Sequence, residues 1–320
     1  MEGLEYPPSV FQAVENFHPK LKASLDIPDS INVPVRITPG DITIVVPVKD
    51  NQRGIDRFLR GVVDTFKPEH YPKEIVIVDN NSAESVQIRN RFPFSVKVIS
   101  CKTAGPAAAR NTGVRAAAGK WLLFTDSDCI PTDSLLAGYL NAPSGYVAYA
   151  GLVELEGHDI YTRFYRDQNT FVPLALIGWA GLEPMTLVTA NCLVLKSAAE
   201  TIGLFNERFE LAGGEDTDFG IRLRMVGALR YQFTSVSQHC NQDSVSKFAN
   251  RFMRYGSGNK VLDELYYGSM FRLKGVRVNN QSEITRKLAA LQFKAFNWGY
   301  EGKPFAEFPL DEFADLERVS

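Results

Sequence analysis

The sequence is short of the features that would place it at once. It has 4 cysteines in 320 residues, Cys101, Cys129, Cys192 and Cys240, with no Cys-x-x-Cys pair and no metal spacing. That excludes a disulfide scaffold and a structural zinc module, and reads as reduced thiols in a reducing compartment. An excess of one charge is missing too: 35 basic residues face 37 acidic ones, a net charge of -2. Such a balance gives no footprint for nucleic acid or an anionic membrane, so any bound anion must be held locally. No apolar run reaches the roughly 18 residues of a membrane span. The opening Met1-Glu2-Gly3-Leu4-Glu5 lacks the basic-then-apolar order of a leader. The expected location is therefore the cytoplasm, free or peripheral at a membrane. Internal repeats and low-complexity tracts are absent as well.

What the chain does have is alternation. Residues 1–40 carry Pro7, Pro8, Pro19, Pro28, Pro34 and Pro39 with little periodicity and read as an arm laid over the surface. From Asp41 the pattern predicts strands at 42–48, 74–79 and 96–100 and one from 121 into Asp126, with helices at 55–66, 85–91 and 106–118 between them. Strands and helices in this rhythm argue for βαβ crossovers, a mainly parallel sheet and an α/β fold. Beyond Asp128 the spacing loosens, with strands expected at 146–155, 187–195 and 230–237 and helices at 196–202, 217–226, 245–255 and 284–298. The expected units are the arm 1–40, a catalytic domain 41–258 and a helical extension 259–320. Within that domain, 41–128 is the nucleotide-binding half and 129–258 the acceptor-binding half.

The most informative stretch is Trp121-Leu122-Leu123-Phe124-Thr125-Asp126-Ser127-Asp128. A short apolar run reads as a buried strand, which puts both acids at its carboxyl end, the ligand-binding edge of an open parallel sheet. Two hard oxygen ligands there suit a divalent cation that neutralises a diphosphate. The bland alternative is a turn that caps a helix starting near Thr132. Pro47-Val48-Lys49-Asp50 and Asp79-Asn80-Asn81-Ser82 end two further strands, and three such clusters along one edge are hard to dismiss as turns. Arg110 sits one turn into a helix opened by Gly105-Pro106, where a guanidinium pairs with phosphate oxygens or makes an ordinary ion pair.

These residues carry a family resemblance. The series Ile44-Val45-Val46-Pro47, Ile75-Val76-Ile77-Val78-Asp79-Asn80-Asn81-Ser82, Ala108-Ala109-Arg110-Asn111-Thr112-Gly113 and Phe124-Thr125-Asp126-Ser127-Asp128 resembles family 2 glycosyltransferases of the GT-A (Rossmann-like) fold. Thr189-Ala190-Asn191-Cys192, Ile202-Gly203-Leu204-Phe205 and Gly213-Gly214-Glu215-Asp216-Thr217-Asp218 continue it, so that it covers about residues 40–258. The resemblance implies that Asp79 recognises the nucleotide base, with Pro47 and Val48 lining its pocket. It places Arg110 near the nucleotide, Asp126 by the ribose and sugar, and Asp128 on the metal. Asp50 stands where similar proteins often carry Asn, at the ribose. His239 falls where many such enzymes place a further metal or phosphate ligand. Asp216 matches the family's base, with Glu215 as the alternative carboxylate. Arg251 and Arg254, followed by Gly256 and Gly258, suggest a flexible lid over the diphosphate or a solvated helix face.

For the acceptor the candidates are Trp179, flanked by glycines, and Asn191, with Tyr161, Phe164, Tyr165 and Phe171 as an apolar wall or as core. The expected activity is metal-dependent, inverting, non-processive transfer of one sugar from a nucleotide-diphosphate sugar, a UDP-sugar first, with Mn2+ or Mg2+. No Gln-x-x-Arg-Trp signature of processive synthases is present. The expected partners are the donor, a small-molecule or cell-envelope precursor acceptor, and a second copy of the chain. The rivals are a retaining GT-A transferase, a sugar-phosphate nucleotidyltransferase and an inactive carbohydrate-binding protein.

Overall fold

The computed structural model describes residues 31–318, apart from 179–180, 242, 267–271, 277 and 279–281. Most of the proline-rich arm, and Trp179, lie outside the described residues. The first half follows the predicted alternation: β1 (Ile42–Val48), α1 (Gln52–Thr65), β2 (Glu74–Asp79), β3 (Val96–Ser100), α2 (Pro106–Ala116) and β4 (Trp121–Phe124). β2 and β4 are buried along their whole length, as strands covered on both faces must be.

The helix expected over 85–91 does not form. The reason lies in competing acceptors. Asp79 takes the backbone N–H groups of Ser82 and Val86, Asp50 takes that of Ala83, and Gln52 takes that of Gln87. Amides engaged by side chains in this way hold the segment in an irregular loop.

The second half continues with β5 (Cys129–Pro131), α3 (Asp133–Leu140), β6 (Ala148–Glu156), α4 (Ile160–Asp167), β7 (Ala175–Gly178), β8 (Gly181–Pro184) and β9 (Cys192–Leu195). After these come α5 (Lys196–Thr201), α6 (Glu215–Leu223), β10 (Leu229–Cys240), α7 (Val245–Tyr266) and α8 (Glu283–Tyr300). β7 and β8 form a separate hairpin. The other strands make one eight-stranded sheet in the order β3-β2-β1-β4-β9-β6-β10-β5. β1 is parallel to both β2 and β4, whereas β9 runs antiparallel between β4 and β6, and β10 is parallel to β6. Two reversals across β9 restore the direction, so the carboxyl ends of β1, β2, β4 and β10 all open on one edge.

Among the described residues three apolar bodies hold this arrangement. One wraps the sheet, a second joins α4, α7 and α8 with the last described turn, Leu310–Arg318, and a third gathers Met185, Phe209, Ile221, Leu262 and Tyr266. α7 is continuous through 258, so the boundary expected between 258 and 259 falls inside a helix. The helices cross closely, because a Cβ on Gly256 would stand 1.8 Å from the Phe296 carbonyl oxygen and one on Gly299 1.9 Å from that of Met253. Gly256 therefore serves close packing and not a hinge.

Candidate active site

The carboxyl edge of the sheet borders a cavity of about 1040 Å3. Pro47, Val48, Arg110, Asp126, Asp128, Glu215, Asp216 and His239 all line it, drawn from five separate parts of the chain. β4 ends at Phe124, and the turn after it is closed by Cys129 N–H donating to the Asp126 carbonyl. Asn51 caps α1 by accepting from the Gly54 N–H, and its amide donates to the Ser127 carbonyl and hydroxyl, tying the end of β1 to the acidic turn. Asn51 went unremarked in the sequence; its place next to Asp50, where similar proteins carry Asn, was the available signal.

Asp128 meets His239 because β10 runs alongside. The Cys240 N–H donates to the Asp128 carbonyl, and His239 pairs with Cys129 across β10 and β5. His239 Nε2 lies 3.4 Å from Asp128 Oδ1, with the imidazole buried and its Nδ1 without a partner among the described residues. Burial pushes the Asp128 carboxyl up, opposed by His239 and reinforced by Asp126. A carboxylate oxygen and an imidazole nitrogen at this spacing fit Mn2+ or Mg2+. Cys129 belongs to the same cluster by distance. Burial, with the two acids beside it, drives its thiol well above the ordinary range, and a neutral thiol is a poor ligand for a hard cation.

Arg110 is buried and bridges two carboxylates: Nη1 to Glu215 Oε1 at 2.8 Å and Nη2 to Asp126 Oδ1 at 3.1 Å. Glu215 Oε2 also accepts from the Gly213 N–H at 2.7 Å. Both Glu215 oxygens are thus engaged. Asp216 accepts from the Thr217 N–H, and burial together with the Glu215 charge pushes its pKa up to about 7, against the pull of Arg110. Gly213 and Gly214, at φ 150° and 89°, turn the chain into α6 in conformations that favour glycine. Gly258 of α7 packs on this turn, where a Cβ would stand 1.7 Å from the Gly213 oxygen.

Asp79 and Asp50 lie beside the cavity and not among its lining residues. Burial raises the Asp79 carboxyl, but hydrogen bonds from Ser82 and Val86 outweigh it and hold it below its ordinary value. Asn80 lines the cavity and pins the opposite loop, donating to the Cys101 and Thr103 carbonyls and accepting from the Gly105 N–H.

The acceptor expectations fare differently. Asn191 is saturated: its oxygen accepts from Tyr139 and Ser235, and its nitrogen donates to the Leu152 and Ser235 carbonyls. It braces the sheet and does not line the cavity, which corrects its expected place at the acceptor. Tyr161, Phe164 and Tyr165 are core, packed on Phe248, whereas Phe171 reaches the cavity with its ring 4.8 Å from His239. Arg251 is pinned between Tyr165 and Phe171 and bonds Asn241 and Asp243, so it is neither a free lid nor a solvated face.

A sheet of this order, with acids, an imidazole and a glycine turn around one edge cavity, defines a GT-A domain. The chain belongs to glycosyltransferase family 2: residues 43–199 match the model of "Glycosyl transferase family 2". It is similar to the pre-mycofactocin glycosyltransferase of Mycobacterium tuberculosis, 29% identical over 68% of this chain and 46% of that protein. It is also similar to the probable glycosyltransferase YdaM of Bacillus subtilis, 22% identical over 74% of this chain and 59% of that protein. The chain thus spans about half the length of the curated relatives it matches. Among solved structures, the mannosyltransferase PcManGT of Pyrobaculum calidifontis, in complex with GDP-Man and Mn2+, aligns at a TM-score of 0.52 and 14% identity. That match covers 97% of this chain and 92% of that one. GalNAc-T7 with UDP, GalNAc and Mn2+ aligns at 0.51 and 15%, covering 99% and 68%. At these identities the likeness is one of fold.

Proposed function

We propose that the domain transfers a single sugar from a nucleotide-diphosphate sugar to an acceptor hydroxyl, inverting the anomeric carbon, with a divalent cation held by Asp128 and His239. The observation that carries this is the convergence of Asp126, Asp128, His239 and Asp216 on one cavity. At about 1040 Å3 it matches the upper end of ligand sites, roughly 300–1,000 Å3, and leaves room for donor and acceptor together. Mn2+ in the two structural neighbours named above supports the choice of cation, and GDP-Man in one and UDP with GalNAc in the other support the donor class, with UDP-sugars the first to try.

Pro47, Val48 and Asn80 offer the walls for the base, with Asp79 and Asp50 shaping the loop beside them. A bound cation would supply Lewis acidity toward the diphosphate. Arg110 holds Asp126 and Glu215 in place, so its charge is spent on positioning first. Asp216, poised near neutral pH, takes the proton from the acceptor hydroxyl as its oxygen attacks the anomeric carbon. Glu215, with both oxygens occupied, orients the turn and raises Asp216.

The test is a panel of nucleotide-sugars with Mn2+, scored by nucleoside diphosphate release and by the anomeric configuration of the product. Retention would overturn the role of Asp216. Diphosphate release from a nucleoside triphosphate and a sugar phosphate would make the protein a nucleotidyltransferase, and binding with no turnover on any acceptor would leave a carbohydrate-binding protein.

A further inference from the structure

Beyond the family match at 43–199, the two long C-terminal helices close one end of the cavity. Phe252 and Tyr255 of α7 and Phe296 of α8 line it there, and Phe171 adds a ring from the metal end. Among them sits Gln292, 1% exposed, whose Oε1 has no hydrogen-bond partner among the described residues. Such a buried carbonyl is costly to leave unpaired, and native proteins seldom do so without a ligand or water to satisfy it. Arg251 Nε, also without a partner among the described residues, stands between the two ends: its guanidinium stacks on Phe171 beside His239 and its side chain bonds Tyr255. The α7–α8 end therefore joins aromatic walls to a buried acceptor, Gln292 Oε1, that has no partner among the described residues, with Arg254 and Asn259 also on the lining. A free saccharide, with a hydroxyl on nearly every carbon, would leave most of them unpaired against these rings. A flat apolar body with one donor group would not.

We propose that α7 and α8 build an acceptor subsite in which Phe252, Tyr255 and Phe296 hold the aromatic body of a hydroxyl-bearing acceptor and Gln292 Oε1 accepts a hydrogen bond from an N–H or O–H on that body. This rests on the transferase reading above. A Cβ on Gly213 would stand 2.9 Å from a ring carbon of Tyr255, so an acceptor seated here lies against the turn that carries Asp216. Its hydroxyl oxygen forms the new bond to the anomeric carbon. The bond from that carbon to the diphosphate breaks with its electron pair leaving on the nucleoside diphosphate, and the hydroxyl proton passes to Asp216.

The experiment uses the full chain with Mn2+ and the nucleotide-sugar that gives the largest Mn2+-dependent thermal shift. It compares 4-(hydroxymethyl)benzamide, its N,N-dimethyl form, which lacks the amide donor, and methyl glucoside as acceptors, with transfer followed by mass spectrometry. The expected order is the primary amide first, the dimethyl form at least tenfold slower, and methyl glucoside slowest. Gln292→Leu should erase the preference between the two amides, retain the donor's thermal shift and melt higher than wild type, because it removes an unpaired buried carbonyl. Gln292→Asn, which keeps the carbonyl on a shorter stem, should restore part of the preference. Preferred transfer to methyl glucoside, or an amide preference unchanged in Gln292→Leu, would overturn the subsite while leaving the transferase reading intact. Absence of any donor-dependent shift or nucleoside diphosphate release would overturn that reading, and the subsite with it.

Discussion

Arg110 and Glu215, 105 positions apart in sequence, meet in the interior at 2.8 Å, and Arg110 reaches Asp126 with its other terminal nitrogen. One guanidinium thus fixes the strand-end acid to the turn that carries Asp216. A lysine, with a single ammonium, does not reproduce that fork. Arg110→Met should destabilise the protein by about 3–5 kcal/mol, the cost of stranding a buried carboxylate, measured by urea unfolding. Arg110→Lys should lose less stability and still lose at least tenfold in kcat. A wild-type rate in Arg110→Lys would show that the bridge is dispensable.

The Asp216 carboxyl, raised to about 7 from 3.8 by burial and by Glu215, has a definite pH signature. Because the ionised form takes the proton, kcat/KM should climb with pH through about 7. Glu215→Gln removes the like charge and leaves Arg110 to pull harder, so the climb should move to lower pH. Stability runs the other way. Between pH 3.8 and about 7 the folded state binds the proton more tightly than the unfolded chain, so this group's contribution falls as pH rises through that window. Asp216→Asn should therefore melt higher than wild type at pH 8 while losing transfer. A variant that melts lower at pH 8 would contradict the raised value.

Asp128 and His239 predict how the protein responds to cation. Mn2+ at 100 times its dissociation constant should add about 2.7 kcal/mol to stability, read as a rise in Tm. Asp128→Ala and His239→Ala should each abolish that rise. Cys129→Ser should keep it, since the buried thiol is not offered to the metal. Loss of the Mn2+ effect in Cys129→Ser alone would move the site.

The strand-end acids were legible because a four-residue apolar run closing on Asp126 has one place to go in a parallel sheet, and the sheet was legible in the alternation before it. That both Glu215 oxygens are engaged was not, because one of them is held by a hydrogen bond from Arg110, far away in sequence. Asn191 reads the same whether it faces a ligand or, as here, Tyr139 and Ser235 inside the sheet. The loop over 85–91 misled for a related reason: its amides are claimed by Asp50, Gln52 and Asp79, and periodicity does not register a competing acceptor. Gln292 was hidden by its own helix, where a polar residue inside an apolar stripe looks like an ordinary interruption.

Gly258 offers a steric test of whether the C-terminal helices act on the catalytic turn. A Cβ there would stand 1.7 Å from the Gly213 oxygen and 2.6 Å from its carbonyl carbon, both backbone atoms that do not swing aside as a side chain would. Gly258→Ala must therefore push α7 and the Gly213-Gly214 turn apart, and Asp216, two residues further on, moves with that turn. The cost should resemble other overpacked interiors, about 1–3 kcal/mol, and kcat should fall about a hundredfold if Asp216 is displaced by as little as 1 Å. Gly40→Ala is the matched control: nothing lies within 4 Å of its added Cβ, and stability and rate should hold. If Gly258→Ala loses stability and yet keeps the wild-type kcat, the turn tolerates displacement and Asp216 is not the group that takes the proton.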